Sequence, residues 1–426
     1  MNTIGVEKPL AVVLAPEEVT VTFDRRVMQQ IDLLSENGWN VILLAHNSGQ
    51  REVTVEIHDN HLSLLIPRRG FTGIAPDASF PAKLGNAFGY YSDQIVKVSK
   101  NKIQGIRSKV ASPKTLSASE IDKRTLIYAK ALEVFNVKGV DLVLCCDLPA
   151  GEVAIELAQR NGAALWFDAH EHYSEQASLS DSQKRVLSIQ EQRIVSKADR
   201  SYTVTPQLAK IMSHKFGSSD TVGFLPNSLR VTQTPEKGKL RKILGIDDKD
   251  TIILYHGGFF FDRNLDALLS GFQASTNQNL HLVMMGYGDR DKVLGNILDL
   301  NDRRVHFLSA VPSRELLEYV IDADAITIPY PAVDINTLNC FPNKLGDAIA
   351  LRKPVIANRE LIFLGNYIEK YDAGVSIDFS STQQVAESLN SLDLSRLKPN
   401  WEEAEKDLGW SFHSKTFVGW LNNDFR

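Results

Sequence analysis

The chain has 426 residues, 43% of them hydrophobic and 23% charged, which is ordinary for a globular protein and too long for one typical core. Its formal net charge of −5 carries no basic excess of the kind a nucleic-acid partner would need. The opening MNTIGVEKPL lacks the pattern of a leader, no apolar run approaches bilayer length, and three cysteines form neither a disulfide framework nor a zinc pattern, so a cytoplasmic protein is expected.

Short apolar runs alternate with amphipathic stretches almost from end to end, the pattern of parallel sheets covered by helices on both faces. LAVVLAP is the first strand. A helix follows from Asp24 to Asn37, with Val27, Ile31 and Leu34 on one face, Asp24 as its cap and Asn37-Gly38 as its stop. VILLA (41–45) and LSLLIP (62–67) are the next strands. The segment 68–118 is less regular, and a helix is expected over 119–135. The strand DLVLCCD (141–147) places Cys145 and Cys146 on opposite faces. A helix over 150–161 stops at Asn161-Gly162, followed by ALWFDAH (164–170), a helix near 182–198, SYTVT (201–205) and a helix opened by Thr205-Pro206.

Residues 228–249 are polar and lysine-rich and read as the interdomain connection. The alternation then repeats through TIILYHG, LHLVMMG, VHFLSA, AITIPY, PVIAN and AGVSID. A final amphipathic helix covers Trp410 to Asn422. The expected organisation is two Rossmann-like doubly wound domains, 1–228 and 229–409, with a C-terminal helix, 410–426, packing back on the first.

Open parallel sheets bind ligands beyond the carboxyl ends of their strands. The residues to inspect are therefore Asp168-Ala169-His170-Glu171, His256-Gly257-Gly258, Gly286-Tyr287-Gly288, Pro329-Tyr330 and 334–347. In the last stretch Pro342 stands at a helix start, where unpaired N–H groups favour a phosphate; Lys344 adds a full charge, and Asp347 lies one turn on, within reach of ribose hydroxyls. A plain capped helix with a solvated lysine fits the same residues. Glycines at 257 and 258 permit close backbone approach, and Arg263 has the planar fork that clamps a diphosphate, although such an arginine also fits a surface position. Asp168, His170, Glu171 and His172 carry metal-ligating atoms, but their crowding on one strand end argues against a shared ion, and no metal cofactor is expected.

Taken together, YHGGFFFDRNLDALLSGF, LHLVMMGYGD, VHFLSAVPSRELLEYVIDADAITIPY, FPNKLGDAIALRKPVIAN and DAGVSID resemble, in order, the donor domain of family 4 retaining glycosyltransferases of GT-B fold. The Pro-Asn-Lys-Leu version is typical of bacterial polysaccharide-assembly members. TFDRRVMQQIDLLSENGWNV and LWFDAHEHYSE are similar to the acceptor domain of the same enzymes. The resemblance implies two facing Rossmann-like domains and transfer of a sugar, with retention, from a nucleoside diphosphate (UDP favoured, GDP allowed) to a hydroxyl of a glycan or lipid-linked acceptor.

Carried over residue by residue, the resemblance puts His170 beside the donor sugar and sets Arg263 and the Asn343-Lys344 turn facing the diphosphate. Gly257, Gly258, Asn339 and Pro342 are expected on the donor side as well, and Asp168 and Glu171 on the acceptor side. Asp347 takes the place of the second glutamate of the Glu-x7-Glu signature, which holds the ribose. The first glutamate is replaced by Asn339, and Gly258 stands where many members carry an arginine. Those departures keep open a non-catalytic relative that binds a nucleotide sugar or a partner protein; an epimerase matches the Pro-Asn-Lys-Leu segment less well. Residues 97–114 carry six basic side chains and no acidic one, downstream of Phe71, Phe80, Phe88, Tyr90 and Tyr91. That composition fits either peripheral contact with the inner membrane face or a solvated helix.

Overall fold

The computed structural model describes residues 8–15, 24–47, 54–67, 137–217, 222–295, 297 and 302–425. The expected helix at 119–135 and the basic and aromatic segments between 68 and 118 lie outside the described residues. Two compact units emerge: Met1–Ser174 with Leu179–Thr203 and Lys210–Gly223, and Glu175–Ser178 with Val204–Ala209 and Phe224–Arg426.

The first unit is built on β1 (Leu10–Leu14), β2 (Asn40–Asn47), β3 (Thr54–Ile57), β4 (Leu62–Pro67), β5 (Leu142–Cys146), β6 (Ala164–Asp168), β7 (Arg200–Thr203) and β8 (Val222–Phe224). Their order is β3-β4-β2-β1-β5-β6-β7-β8. The β1 and β5 strands are buried at every residue, as strands covered on both faces must be, and Cys145 and Cys146 are both buried free thiols. Pairing is parallel from β4 to β7, while β3 runs antiparallel to β4 through a turn closed by His58 N–H on His61 O. This edge hairpin escapes a reading of apolar runs, because a four-residue strand such as TVEI has too little alternation to stand out.

Local signals set the helix ends. Asp24 caps Arg25–Glu36 by accepting from Val27 N at 3.1 Å, and Val27, Ile31 and Leu34 are all at 0% exposure. Gly162 ends Gly151–Asn161 at φ +65°, a conformation that costs a residue with a Cβ about 1 kcal/mol. Ser180 and Gln183 form a capping box at the start of Asp181–Lys197.

The second unit holds β9 (Thr251–Phe259), β10 (Leu280–Gly288), β11 (Val305–Ser309), β12 (Ala325–Ile328), β13 (Val355–Asn358) and β14 (Gly374–Ile377), all parallel. Their order, β11-β10-β9-β12-β13-β14, is the doubly wound Rossmann order. The chain leaves β9 in one direction and β12 in the other, so the crevice for a ligand opens at the carboxyl ends of these two strands. The polar 228–249 stretch contains a short helix, Lys239–Leu244. Asp322 docks it, accepting Gly238 N and Leu240 N at 2.6 Å each. The tail forms Trp401–Leu408 and Trp410–Asp424; in the latter, His413 Nδ1 lies 2.9 Å from Pro226 O and Phe412 stacks on Phe224.

At the carboxyl ends of β9 and β10 the backbones approach unusually closely. A Cβ on Gly286 would lie 1.7 Å from Gly257 O, a backbone atom that cannot swing away. Gly286→Ala is therefore expected to destabilise the second unit by about 3 kcal/mol, read as a lower urea midpoint, whereas Gly365→Ala, with open space around its Cβ position, leaves the midpoint in place.

Candidate functional site

In the first unit the sequence-selected residues cluster around Asp168, the last residue of β6 and completely buried. Arg26 grips it with both arms, Nη2 to Oδ1 at 2.7 Å and Nε to Oδ2 at 2.8 Å, and Gln30 Nε2 donates to Oδ2 at 2.6 Å. Arg26 and Gln30 sit one turn apart on the Arg25–Glu36 helix, so a single face delivers both. Burial alone would raise the Asp168 carboxyl, but the Arg26 guanidinium beside it outweighs that effect and holds the group well below the usual carboxylate range. His170 Nε2 stands 3.5 Å from Asp168 Oδ2, its side chain 27% exposed. Burial disfavours its protonation, yet the Asp168 charge prevails and pushes the imidazole up to about 9, so His170 is a cation at neutral pH. Glu171 is half-buried.

Cys146, Asp168 and His170 offer one sulfur, one oxygen and one nitrogen within 4.8 Å of one another. The trio does not suit a divalent cation. Arg26 already occupies both Asp168 oxygens, and burial together with Asp168 holds the Cys146 thiol far above its ordinary value.

In the second unit, Lys344 and Arg263 meet at a tyrosine. Lys344, in the first turn of the Asn343–Leu351 helix, is 6% exposed and donates to Tyr330 Oη at 2.7 Å. Its Nζ lies 4.7 Å from the Tyr255 ring centroid and 5.0 Å from that of Tyr330. The Arg263 guanidinium is 4.7 Å from the same Tyr330 ring. Two positive groups thus share one aromatic side chain at the carboxyl end of β12. Each such contact contributes about 0.5–2 kcal/mol and does not cancel either charge.

Gly257, at φ +138°, leaves room for the ammonium: a Cβ there would be 3.0 Å from Lys344 Nζ. Gly258 O accepts from Tyr255 Oη at 2.7 Å, and burial raises the Tyr255 hydroxyl above its ordinary value, keeping it a donor. Pro342 is the N-cap of Asn343–Leu351 and supplies no side-chain bond, so the first N–H groups of that helix have no cap from it. Burial likewise raises the Cys340 thiol, to about 12.

Asp347 is wholly buried, with Oδ2 3.4 Å from His256 Nε2. Asn339, in the place of the first signature acid, turns its amide back to Ile335 O at 2.9 Å. The structure therefore brings Arg263 and Lys344 to Tyr330, with Gly257 beside the Lys344 ammonium, at the head of the helix that Pro342 and Asn343 open, and sets Asp347 against His256. Sequence reasoning missed Tyr255, Arg26 and Gln30, and gave Tyr330 and His256 no role. Tyr255 is hidden in an apolar strand, and Arg26 and Gln30 gain meaning only from a partner more than a hundred residues away.

The family model for glycosyl transferases group 1 matches residues 236–406. A search of curated protein sequences finds no significant match. Among solved structures, sucrose-phosphate synthase from Thermosynechococcus elongatus is similar with a TM-score of 0.67 at 14% identity, covering 98% of this chain and 99% of that one. Anabaena HepE in complex with UDP and glucose has a TM-score of 0.65 at 12% identity, covering 97% and 100%. An α,α-trehalose-phosphate synthase (UDP-forming) from Burkholderia vietnamiensis has a TM-score of 0.61 at 14% identity, covering 97% and 100%. The fold, two parallel-sheet α/β units, is GT-B. No helix among the described residues is long and apolar enough to cross a membrane.

Because its value in the folded protein is raised, His170 contributes stability that is fully present below about 6.5 and lost as the pH climbs toward about 9. His170→Gln should flatten the decline of unfolding free energy across that window, measured by urea titration at successive pH values. An unchanged slope would mean the imidazole is neutral in the folded protein.

Proposed function

We propose that this protein is a retaining glycosyltransferase that draws a sugar from a nucleoside diphosphate, UDP in preference to GDP, and delivers it to a hydroxyl of a glycan or lipid-linked acceptor. One observation carries the reading: Lys344 and Arg263 converge on Tyr330 at the carboxyl edge of a Rossmann-ordered sheet, at the N-terminus of a helix. Two cations and a helix N-terminus in one place call for a ligand with at least two negative charges. The group 1 glycosyl transferase match spans these residues, and HepE, similar in fold, is a UDP and glucose complex.

In the proposed reaction the bond from the anomeric carbon to the diphosphate oxygen breaks while the acceptor hydroxyl oxygen bonds to that carbon and gives up its proton to the departing diphosphate. Negative charge accumulates on the departing diphosphate and positive charge on the sugar. The Lys344 ammonium and the Arg263 guanidinium, both against the Tyr330 ring, act with the N-terminus of the Asn343–Leu351 helix to stabilise the leaving group. Gly257 lets the ammonium lie against the strand-end backbone, and the Pro342-Asn343 turn with Gly258 completes the donor side. Asp347, paired with His256, is assigned to the ribose. With this much fixed positive charge the proposed reaction uses no metal ion.

His170, protonated and held by Asp168, is assigned to the donor sugar, with Glu171 toward the acceptor. Polysaccharide assembly at the inner face of the membrane, with 97–114 as a peripheral contact, completes the proposal. The alternative, a non-catalytic binder, is favoured by one detail: the Asn339 amide spends itself on Ile335 O where the family places an acid.

The test begins with ligand-dependent unfolding. UDP-glucose at a hundred times its dissociation constant should stabilise by about 2.7 kcal/mol. Lys344→Met, which keeps an unbranched side chain between the two rings, should fold yet lose most of that shift and at least about a hundredfold in turnover. His170→Ala should fold, keep the shift and lose most turnover; near-normal turnover there would remove His170 from the chemistry. Binding of UDP-glucose with no transfer across a broad acceptor panel would establish the binder instead.

A further inference from the structure

Beneath the turn that carries His170 out of β6 sits a carboxylate that the proposed reaction does not use. Glu191, on the Asp181–Lys197 helix, is completely buried. One of its oxygens accepts the backbone N–H of Tyr173 at 2.6 Å and the other that of Ser174 at 3.2 Å. His172 Nε2 lies 3.5 Å from the second oxygen, with the His172 ring 1% exposed and edge-on to Phe216 at 5.2 Å. Lys215, from the Pro206–Phe216 helix, donates to Ser174 Oγ at 3.3 Å. The groups facing the carboxylate are therefore His172, the Ser174 hydroxyl and two N–H groups from the turn, and Lys215 from the neighbouring helix.

Burying a carboxylate is expensive, and here burial pushes Glu191 up to about 7 against the opposing pull of Ser174, Tyr173 and Lys215. A value raised in this way means stability that is full below about 4.5 and lost as the pH rises to about 7, so above neutrality the ion is a net cost to folding. Glutamine would accept a backbone N–H without that cost. Chain stability alone therefore does not call for an acid here, and the residues it pins begin three positions after His170.

We propose that Glu191 is a positioning residue for His170, its buried carboxylate fixing the 170–174 turn through the Tyr173 and Ser174 N–H groups and releasing it when protonated. Protonation removes the negative charge and leaves both oxygens weaker acceptors, so the bonds from the Tyr173 and Ser174 N–H groups weaken and the turn loosens. The inference rests on the assignment of His170 to the donor sugar.

The decisive measurement follows the His170 ring by NMR on histidine-labelled protein across the pH range, alongside turnover with UDP-glucose. Wild-type His170 should show its main titration near 9 and a second, smaller inflection near 7 reporting Glu191. Glu191→Gln should abolish the second inflection and the acid limb of turnover. At about pH 8 its kcat should fall roughly tenfold with KM for the donor within about twofold, while its Tm is not lowered. Should that variant fail to fold, Lys215→Met serves in its place: loss of the opposing cation should move the inflection to higher pH. Absence of the inflection in the wild type, its survival in Glu191→Gln, or an unchanged position in Lys215→Met overturns the proposal. A wild-type protein without transferase activity would refute the functional reading, and the NMR result would still decide the role of Glu191.

Discussion

A buried lysine, Lys344, only 6% exposed and with tyrosine rings and a hydroxyl as neighbours of its ammonium, is the constraint on which the second unit turns. Aromatic faces and one neutral hydroxyl soften the desolvation of a cation without neutralising it. The position is tenable because Gly257 removes the Cβ that would crowd the ammonium and because Tyr255 lies on β9 while Tyr330 follows the end of its neighbour β12. Those strands flank the point where the winding of the sheet reverses. The topology thus brings backbone, rings and charge to one place, and an anionic ligand would complete the charge balance.

The first unit shows the opposite economy. Asp168 is as buried as a residue can be, yet it is fully satisfied, with a bidentate arginine and a glutamine amide. Arg26 alone neutralises it, so His170 adds a second positive charge to a pair already balanced. The carboxylate therefore sustains a protonated imidazole that remains 27% exposed, while the arginine stays buried behind it. Arg26 and Asp168 act as a fixed scaffold, and His170 is the member able to meet a ligand.

Both clusters rely on carboxylates that serve backbone as well as side chains. Asp322 caps the Lys239–Leu244 helix, Asp334 holds Ala177 N at 2.8 Å, and Glu191 holds the turn after β6. In each case an acid accepts from N–H groups at a turn or helix end, where charge-assisted bonds of this kind are strongest. Loops next to the sites are thereby given definite shapes without relying on apolar packing, which turns of this polarity cannot provide.

Apolar runs, caps and stops were enough to read the doubly wound character, the Asp24 cap, the Gly162 stop and the helix opened after Pro342, because each depends on neighbours within a turn of chain. The strand-end rule pointed to Gly257, His170 and Lys344 for the same reason: strand ends are legible from composition. Beyond that reach were the β3 hairpin, the bond between Arg26 and Asp168, the shared ring of Tyr330 and the burial of Asp347 against His256. Each joins residues distant in sequence, and only the winding of the sheets decides which of them meet. Charge state belongs to that second category too. No reading of the chain alone tells that His170 is held protonated or that Glu191 titrates near neutrality, since both follow from burial and from partners that tertiary structure supplies.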